Sequence, residues 1–82
     1  MHEVVFTKRA ITDWEKLDER TRARIAKKLK EYSINPFQYA RKLSHSKIGT
    51  YRFRIGDFRV VFDVEKQSIV VLRIGDRKEI YR

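Results

Sequence analysis

The sequence predicts a single small α+β domain, with two N-terminal helices packed on an antiparallel sheet in the order β-α-α-β-β-β. Three observations predict it. Apolar residues recur at helical spacing from Ala10 to Tyr32. From residue 51 they alternate strictly with polar ones, as Tyr51-Arg52-Phe53-Arg54-Ile55, the pattern of a half-buried strand. Between the two halves stands Asn35-Pro36, which ends a helix because the residue before proline is pushed out of helical geometry. The chain of 82 residues allows one domain, 1–82, with a thin core and no room for a separate cofactor domain.

Each element has its own signal. Val4, Val5 and Phe6 form a short apolar run that reads as a strand, and Thr7 is placed to cap a first helix. Ala10, Ile11, Trp14 and Leu17 mark one face of that helix. Asp18 suits the N-cap of a second helix and Glu19 its positive end. Ile25, Ala26, Leu29 and Tyr32 form the second helix's apolar stripe. Six basic residues and no acid lie between Arg20 and Lys30, a pattern more often solvated than bound. Residues 36–49 read as irregular, with Phe37, Tyr39 and Leu43 pinning the segment and Lys42, His45 and Lys47 in water. Gly56-Asp57 fits a two-residue hairpin turn between residues 51–55 and a second strand, Phe58 to Val64. A third strand, Ile69 to Ile74, comes after Glu65-Lys66-Gln67.

The hairpin turn fixes a register. Ile55 faces Phe58, Arg54 faces Arg59, and Phe53 faces Val60, so Tyr51, Phe53, Ile55, Phe58, Val60 and Phe62 share the core face. Arg52, Arg54 and Arg59 share the other. A three-residue loop before the third strand puts Val70, Leu72 and Ile74 inward and Arg73 opposite Arg59. The expected result is a row, Arg54-Arg59-Arg73, across three strands. Like charges directly opposite one another destabilise a sheet, so such a row makes sense beneath an anion. Arginine is also suited to planar, bidentate phosphate recognition. The plainer reading has each guanidinium in water or paired with Asp63, Asp76 or Glu79. Val61, Ile69 and Val71 fall on the same face in this register, where the C-terminal tail or a partner would cover them.

Composition narrows the chemistry. Twenty Lys+Arg against eleven Asp+Glu give +9, with the excess leaning to the second half. Nine basic and six acidic residues lie in residues 1–40, and eleven and five in residues 41–82. A polyanionic partner is the natural reading of such a balance. Zero cysteines exclude disulfides, thiolate metal sites and thiol catalysis, and two histidines make a poor metal site. No G-x-x-x-x-G-K-[S/T] or G-x-G-x-x-G loop is present to cradle a nucleotide. Ser33, Ser44, Ser46 and Ser68 have no spacing that supports a Ser-His-Asp arrangement with His45. Asp63 with Glu65, or Asp76 with Glu79, sits among basic residues and reads as ion pairing. No cofactor or metal is expected. No apolar run nears the roughly 18 residues of a membrane span, and the first residues lack a signal peptide's apolar core, so a cytoplasmic location is expected. Phosphate chemistry supported by positive charge survives.

Thr50-Tyr51-Arg52-Phe53-Arg54-Ile55-Gly56-Asp57-Phe58-Arg59-Val60-Val61-Phe62 and Ile74-Gly75-Asp76-Arg77-Lys78-Glu79-Ile80-Tyr81-Arg82 resemble the RelE/ParE toxin superfamily, its RelE branch in particular. The segment from Phe6 to Leu17 is similar to that family's first helix. The resemblance implies a toxin of a toxin–antitoxin module that cuts mRNA in the ribosomal A site without a metal. It further implies attack by the ribose 2′-hydroxyl, leaving a 2′,3′-cyclic phosphate and a 5′-hydroxyl end. Carried onto this chain, the charged strand residues are Arg52 and Arg54, and the phosphate-stabilising arginine is Arg59. Arg77 takes the general-acid or charge-stabilising role, and Tyr81 stacks on a base. Arg73, Lys47 and Lys78 are placed on the RNA, with Lys47 also a candidate base. The implied partners are a small cognate antitoxin, in a hetero-oligomer, and mRNA on the ribosome. Two features depart from the pattern. Some relatives carry Lys at the positions of Arg52 and Arg54, and arginine is a poor general base. Many carry His where this chain has Asp76. Two alternatives remain: a ParE-like toxin that binds DNA gyrase and cuts nothing, and a non-catalytic nucleic-acid or antitoxin-binding module.

Overall fold

Thr7 and Asp18 both cap helices. The Thr7 hydroxyl accepts the Ala10 N–H at 3.2 Å, and an Asp18 carboxylate oxygen accepts the Thr21 N–H at 2.7 Å. Donors on Thr21, side chain and backbone, hold the Asp18 carboxyl below its ordinary pKa. The computed structural model describes residues 1–44 and 47–80. The chain runs β1 (Glu3–Phe6), α1 (Lys8–Glu15), α2 (Glu19–Tyr32), α3 (Pro36–Tyr39), β2 (Arg41–Lys42), β3 (Tyr51–Ile55), β4 (Phe58–Glu65) and β5 (Ser68–Asp76). The strands form one sheet in the order β1-β5-β4-β3-β2. No helix among the described residues is long and apolar enough to cross a membrane.

The α+β class stands, with two additions and one change of direction. The segment expected to be irregular contains α3, started by Pro36 at its first turn, where a missing N–H costs nothing. It also contains the two-residue strand β2. The sheet is mixed, because β1 runs parallel to β5 and the remaining neighbours are antiparallel. The long excursion through the helices lets the first strand return beside the last in parallel, where a tight turn would not.

One face of the sheet, the inner face, carries the core. Ala10, Ile25 and Leu29 from the helices bury against Phe53, Ile55, Val60, Phe62, Ile69, Val71 and Ile74. Ile11 and Ala26, read as part of the apolar stripes, are exposed instead. An aromatic chain ties helix to sheet: Tyr39 stacks on Tyr32 at 4.3 Å, Tyr32 meets Phe53, and Phe53 stacks on Phe62 at 4.3 Å. Tyr51 and Phe37 continue it. Such pairs are worth about 0.5–1.5 kcal/mol each beyond the area they bury.

The β3–β4 register agrees with the sequence reading, with Ile55 opposite Phe58, Arg54 opposite Arg59 and Phe53 opposite Val60. The β4–β5 register does not. Glu65 pairs with Ser68, so the turn has two residues, and Lys66 adopts φ 55° there. Further along, Phe62 pairs with Val71 but Val61 pairs with Arg73, leaving Leu72 as the extra residue of a β-bulge. These two features together turn Ile69 and Val71 inward and displace Arg73 from Arg59 to Val61. Ile74 regains the core face on the far side of the bulge, while Val70 and Leu72 do not point inward as expected.

Candidate functional site

The outer face, opposite the helices, holds Arg41, Arg52, Arg54 and Arg59. Residues paired across a ladder share a face, so the register defines two rows. One is Arg41-Arg52-Val61, whose register partner Arg73 turns at the bulge toward Asp13 of α1, and the other is Arg54-Arg59-Gly75. The expected row Arg54-Arg59-Arg73 is therefore broken at its third member, where Gly75 stands instead. The missing side chain leaves room: a Cβ on Gly75 would lie 3.6 Å from the Ile80 Cβ. Ile80 is buried there, and with it the turn after β5 folds back over the outer face.

Val61 is fully buried on this same face. The chain at Gly49 crosses it, and a Cβ there would come within 2.8 Å of both Val61 Cγ1 and Leu72 Cδ1. Only glycine permits so close an approach. Asp63 anchors the crossing by accepting the Thr50 N–H at 2.7 Å. The chain itself, rather than a partner, covers this apolar patch. Lys47 lies exposed two residues before Gly49.

The individual arginines differ in setting. Arg54 is exposed and Arg52 half-buried. Arg59 is 5% exposed, and its Nη1 donates to the carbonyls of Gly56 at 3.2 Å and Phe58 at 3.0 Å. These acceptors offset the cost of burying its charge and fix its head beside the hairpin turn. The carbonyl between them in that turn, Asp57 O, accepts the Arg77 N–H at 2.9 Å. Successive residues of one turn thus hold Arg59 and the segment bearing Arg77. Asp76 Oδ1 accepts the Lys78 N–H at 2.8 Å, and Asp57, Asp76, Arg77 and Lys78 line a cleft of about 300 Å³. Arg77 and Lys78 are exposed. Tyr81 and His45 lie outside the described residues.

Arg73 is engaged elsewhere. Its Nε donates to Asp13 Oδ2 at 2.8 Å, and the same oxygen accepts the Ile74 N–H at 3.0 Å. Asp13 is 7% exposed, and Arg9 approaches its other oxygen at 3.8 Å. The contact fastens α1 to the end of β5. Sequence reading missed Asp13, although it falls three residues after Ala10 and four before Leu17, within the buried stripe. Arg41 was missed too, since a two-residue strand shows no alternation. Among the described residues the ion pairs are Arg9–Asp13, Arg73–Asp13 and Lys28–Glu31. None joins a strand arginine to Asp63, Asp76 or Glu79.

A family model for the ParE toxin of type II toxin–antitoxin systems matches residues 4–81. The chain belongs to the RelE/ParE toxin superfamily. A RelE-like toxin protein of Escherichia coli is 33% identical over 85 residues, covering 98% of this chain and 90% of that one. Among solved structures, the RelBE2 toxin–antitoxin complex of Mycobacterium tuberculosis aligns with a TM-score of 0.83 at 26% identity, over 93% of this chain and 98% of that one. The isolated E. coli RelE toxin aligns with a TM-score of 0.77 at 29% identity, over 99% and 92%. The RelE/ParE fold thus spans nearly the whole chain, and the arginine rows lie on its outer sheet face.

Proposed function

We propose that the chain is a RelE-type toxin that cleaves mRNA on the ribosome, with the outer sheet face as its active site. The observation that carries this reading is the directly opposed pair Arg54–Arg59 beside the turn whose Asp57 carbonyl accepts the Arg77 N–H. Like charges directly opposite one another on a ladder repel. A phosphodiester placed between them converts repulsion into two charge-assisted hydrogen-bonding partners.

The chemistry is set by what these groups can do. The ribose 2′-oxygen forms a bond to the adjacent phosphorus as the bond to the 5′-oxygen breaks. The 2′-hydroxyl proton leaves, and the departing 5′-oxygen takes one up. Negative charge grows on the non-bridging oxygens, where Arg54 and Arg59 stabilise it in place. The two carbonyls that hold Arg59 orient its head without reorganisation. Arg77, exposed at the neighbouring turn, would offset charge on the leaving oxygen, and the family resemblance gives Tyr81, outside the described residues, the role of stacking on a base. Arginine keeps its proton, so these residues supply charge and orientation rather than a base. Lys47 and solvent remain the candidates to accept the 2′ proton. A small antitoxin that covers the basic face would silence the toxin, and the similar RelBE2 structure is a toxin–antitoxin complex.

The match to a ParE model favours one second reading, in which the chain poisons DNA gyrase and cuts nothing itself. Primer extension on mRNA in programmed ribosomes separates the two, run beside a gyrase cleavage assay. The nuclease reading expects cuts in the A-site codon with cyclic-phosphate ends, lost in Arg77→Ala. Intact mRNA together with gyrase-dependent DNA breaks would replace it with the gyrase reading.

A further inference from the structure

The pairing of β2 with β3 sets Arg41 directly opposite Arg52. The outer face therefore carries two pairs of arginines at directly opposed positions, Arg41–Arg52 and Arg54–Arg59, on adjacent rows. The proposed reaction uses the second pair and neither member of the first. Arg41 is exposed at the sheet edge, and neither Arg41 nor Arg52 enters an ion pair among the described residues. A two-residue edge strand is a poor place for a like-charge pair, because few ladder hydrogen bonds oppose the repulsion. Such a pair is stabilised by an anion bound between its heads.

Successive rows on one strand face stand about 7 Å apart, twice the rise per residue. An extended nucleic-acid strand moves on by one phosphate over a comparable distance. We propose that Arg41 and Arg52 form a second phosphate seat, one nucleotide from the phosphate held by Arg54 and Arg59. The RNA strand then leaves the site across β2. The inference rests on the outer face being the RNA site. The regular step between rows favours a backbone with one charge per residue over an acidic protein segment, whose carboxylates carry no fixed spacing.

The test is equilibrium binding of a labelled, 2′-O-methylated single-stranded RNA to the purified protein across a range of salt. Wild type is compared with Arg41→Ala, Arg41→Lys and, as a control away from the face, Lys27→Ala. Loss of one phosphate contact lowers the slope of log affinity against log salt by about 0.7. The expected result is that loss in Arg41→Ala, partial restoration in Arg41→Lys and no change in Lys27→Ala. Melting curves establish that Arg41→Ala is folded, and removal of a like charge should leave its melting temperature equal or higher. An unchanged slope in Arg41→Ala, or wild type that shows no salt-dependent RNA binding, overturns the inference. Weaker antitoxin binding with unaltered RNA binding overturns it as well and makes the pair a protein interface. Cleavage on programmed ribosomes reports separately on the reading beneath it, so the two failures are distinguishable.

Discussion

Helix α2 places six basic residues in the eleven positions from Arg20 to Lys30, while the outer sheet face presents Arg41, Arg52, Arg54 and Arg59. On the helix, successive side chains splay around the cylinder, Lys28 pairs with Glu31 at 3.4 Å, and Glu19 sits in the first turn. On the sheet, the ladder sets arginine against arginine twice. The larger count of charges thus sits where repulsion is easily relieved, and the smaller count where it is not. On the proposed reading, register rather than local charge density marks the anion-binding surface.

The contrast can be broken by loosening what holds the sheet side in place. Asp13→Ala strips the acceptor from the Ile74 N–H and the partner from Arg73, so a loss of about 2–3 kcal/mol is expected. Asp13→Asn, which keeps an acceptor, should cost less, as read by urea unfolding midpoints. Gly56→Ala is next. Gly56 has φ 61°, a conformation that costs a residue with a Cβ about 1–2 kcal/mol. The Arg24 guanidinium also lies within 3 Å of where that Cβ would stand and must move aside. Thermal melting reads this loss. On the helix side, Arg20→Ala with Lys27→Ala should shift stability by no more than about 0.5 kcal/mol for each change.

The smallest effect belongs to the α2 cap. Because the folded Asp18 carboxyl titrates below its unfolded value of about 3.9, its contribution is full above that pH. It fades as pH falls through the folded value. Asp18→Asn should therefore make the acid limb of the stability curve slightly shallower below about pH 4, measured by urea unfolding from pH 5 to pH 2.

The legible part of the fold is the part set by local chemistry. Thr7, Asp18 and Asn35-Pro36 bounded the long helices, and Gly56-Asp57 pinned the β3–β4 register that opposes Arg54 to Arg59. The β4–β5 register escaped because nothing in Glu65-Lys66-Gln67 announces a two-residue turn with Lys66 in the left-handed region. No glycine or proline marks the bulge at Leu72 either. Arg73 then found a partner 60 residues away in Asp13, a tertiary choice that no window of sequence contains. Arg41 stayed hidden because β2 is defined only by its partner strand. In each case the missing information lay in contacts between distant segments.

The most direct test of the central claim compares the two basic surfaces in one assay, the single-turnover cleavage rate of mRNA on programmed ribosomes. Arg54→Ala should lower the rate by about 10²–10³-fold, the usual cost of removing a group that stabilises transition-state charge. The double change Arg20→Ala with Lys27→Ala should stay within about threefold of wild type. Cleavage by Arg54→Ala at the wild-type rate, or a larger loss in the helix variant, would contradict the assignment of the outer sheet face as the active site.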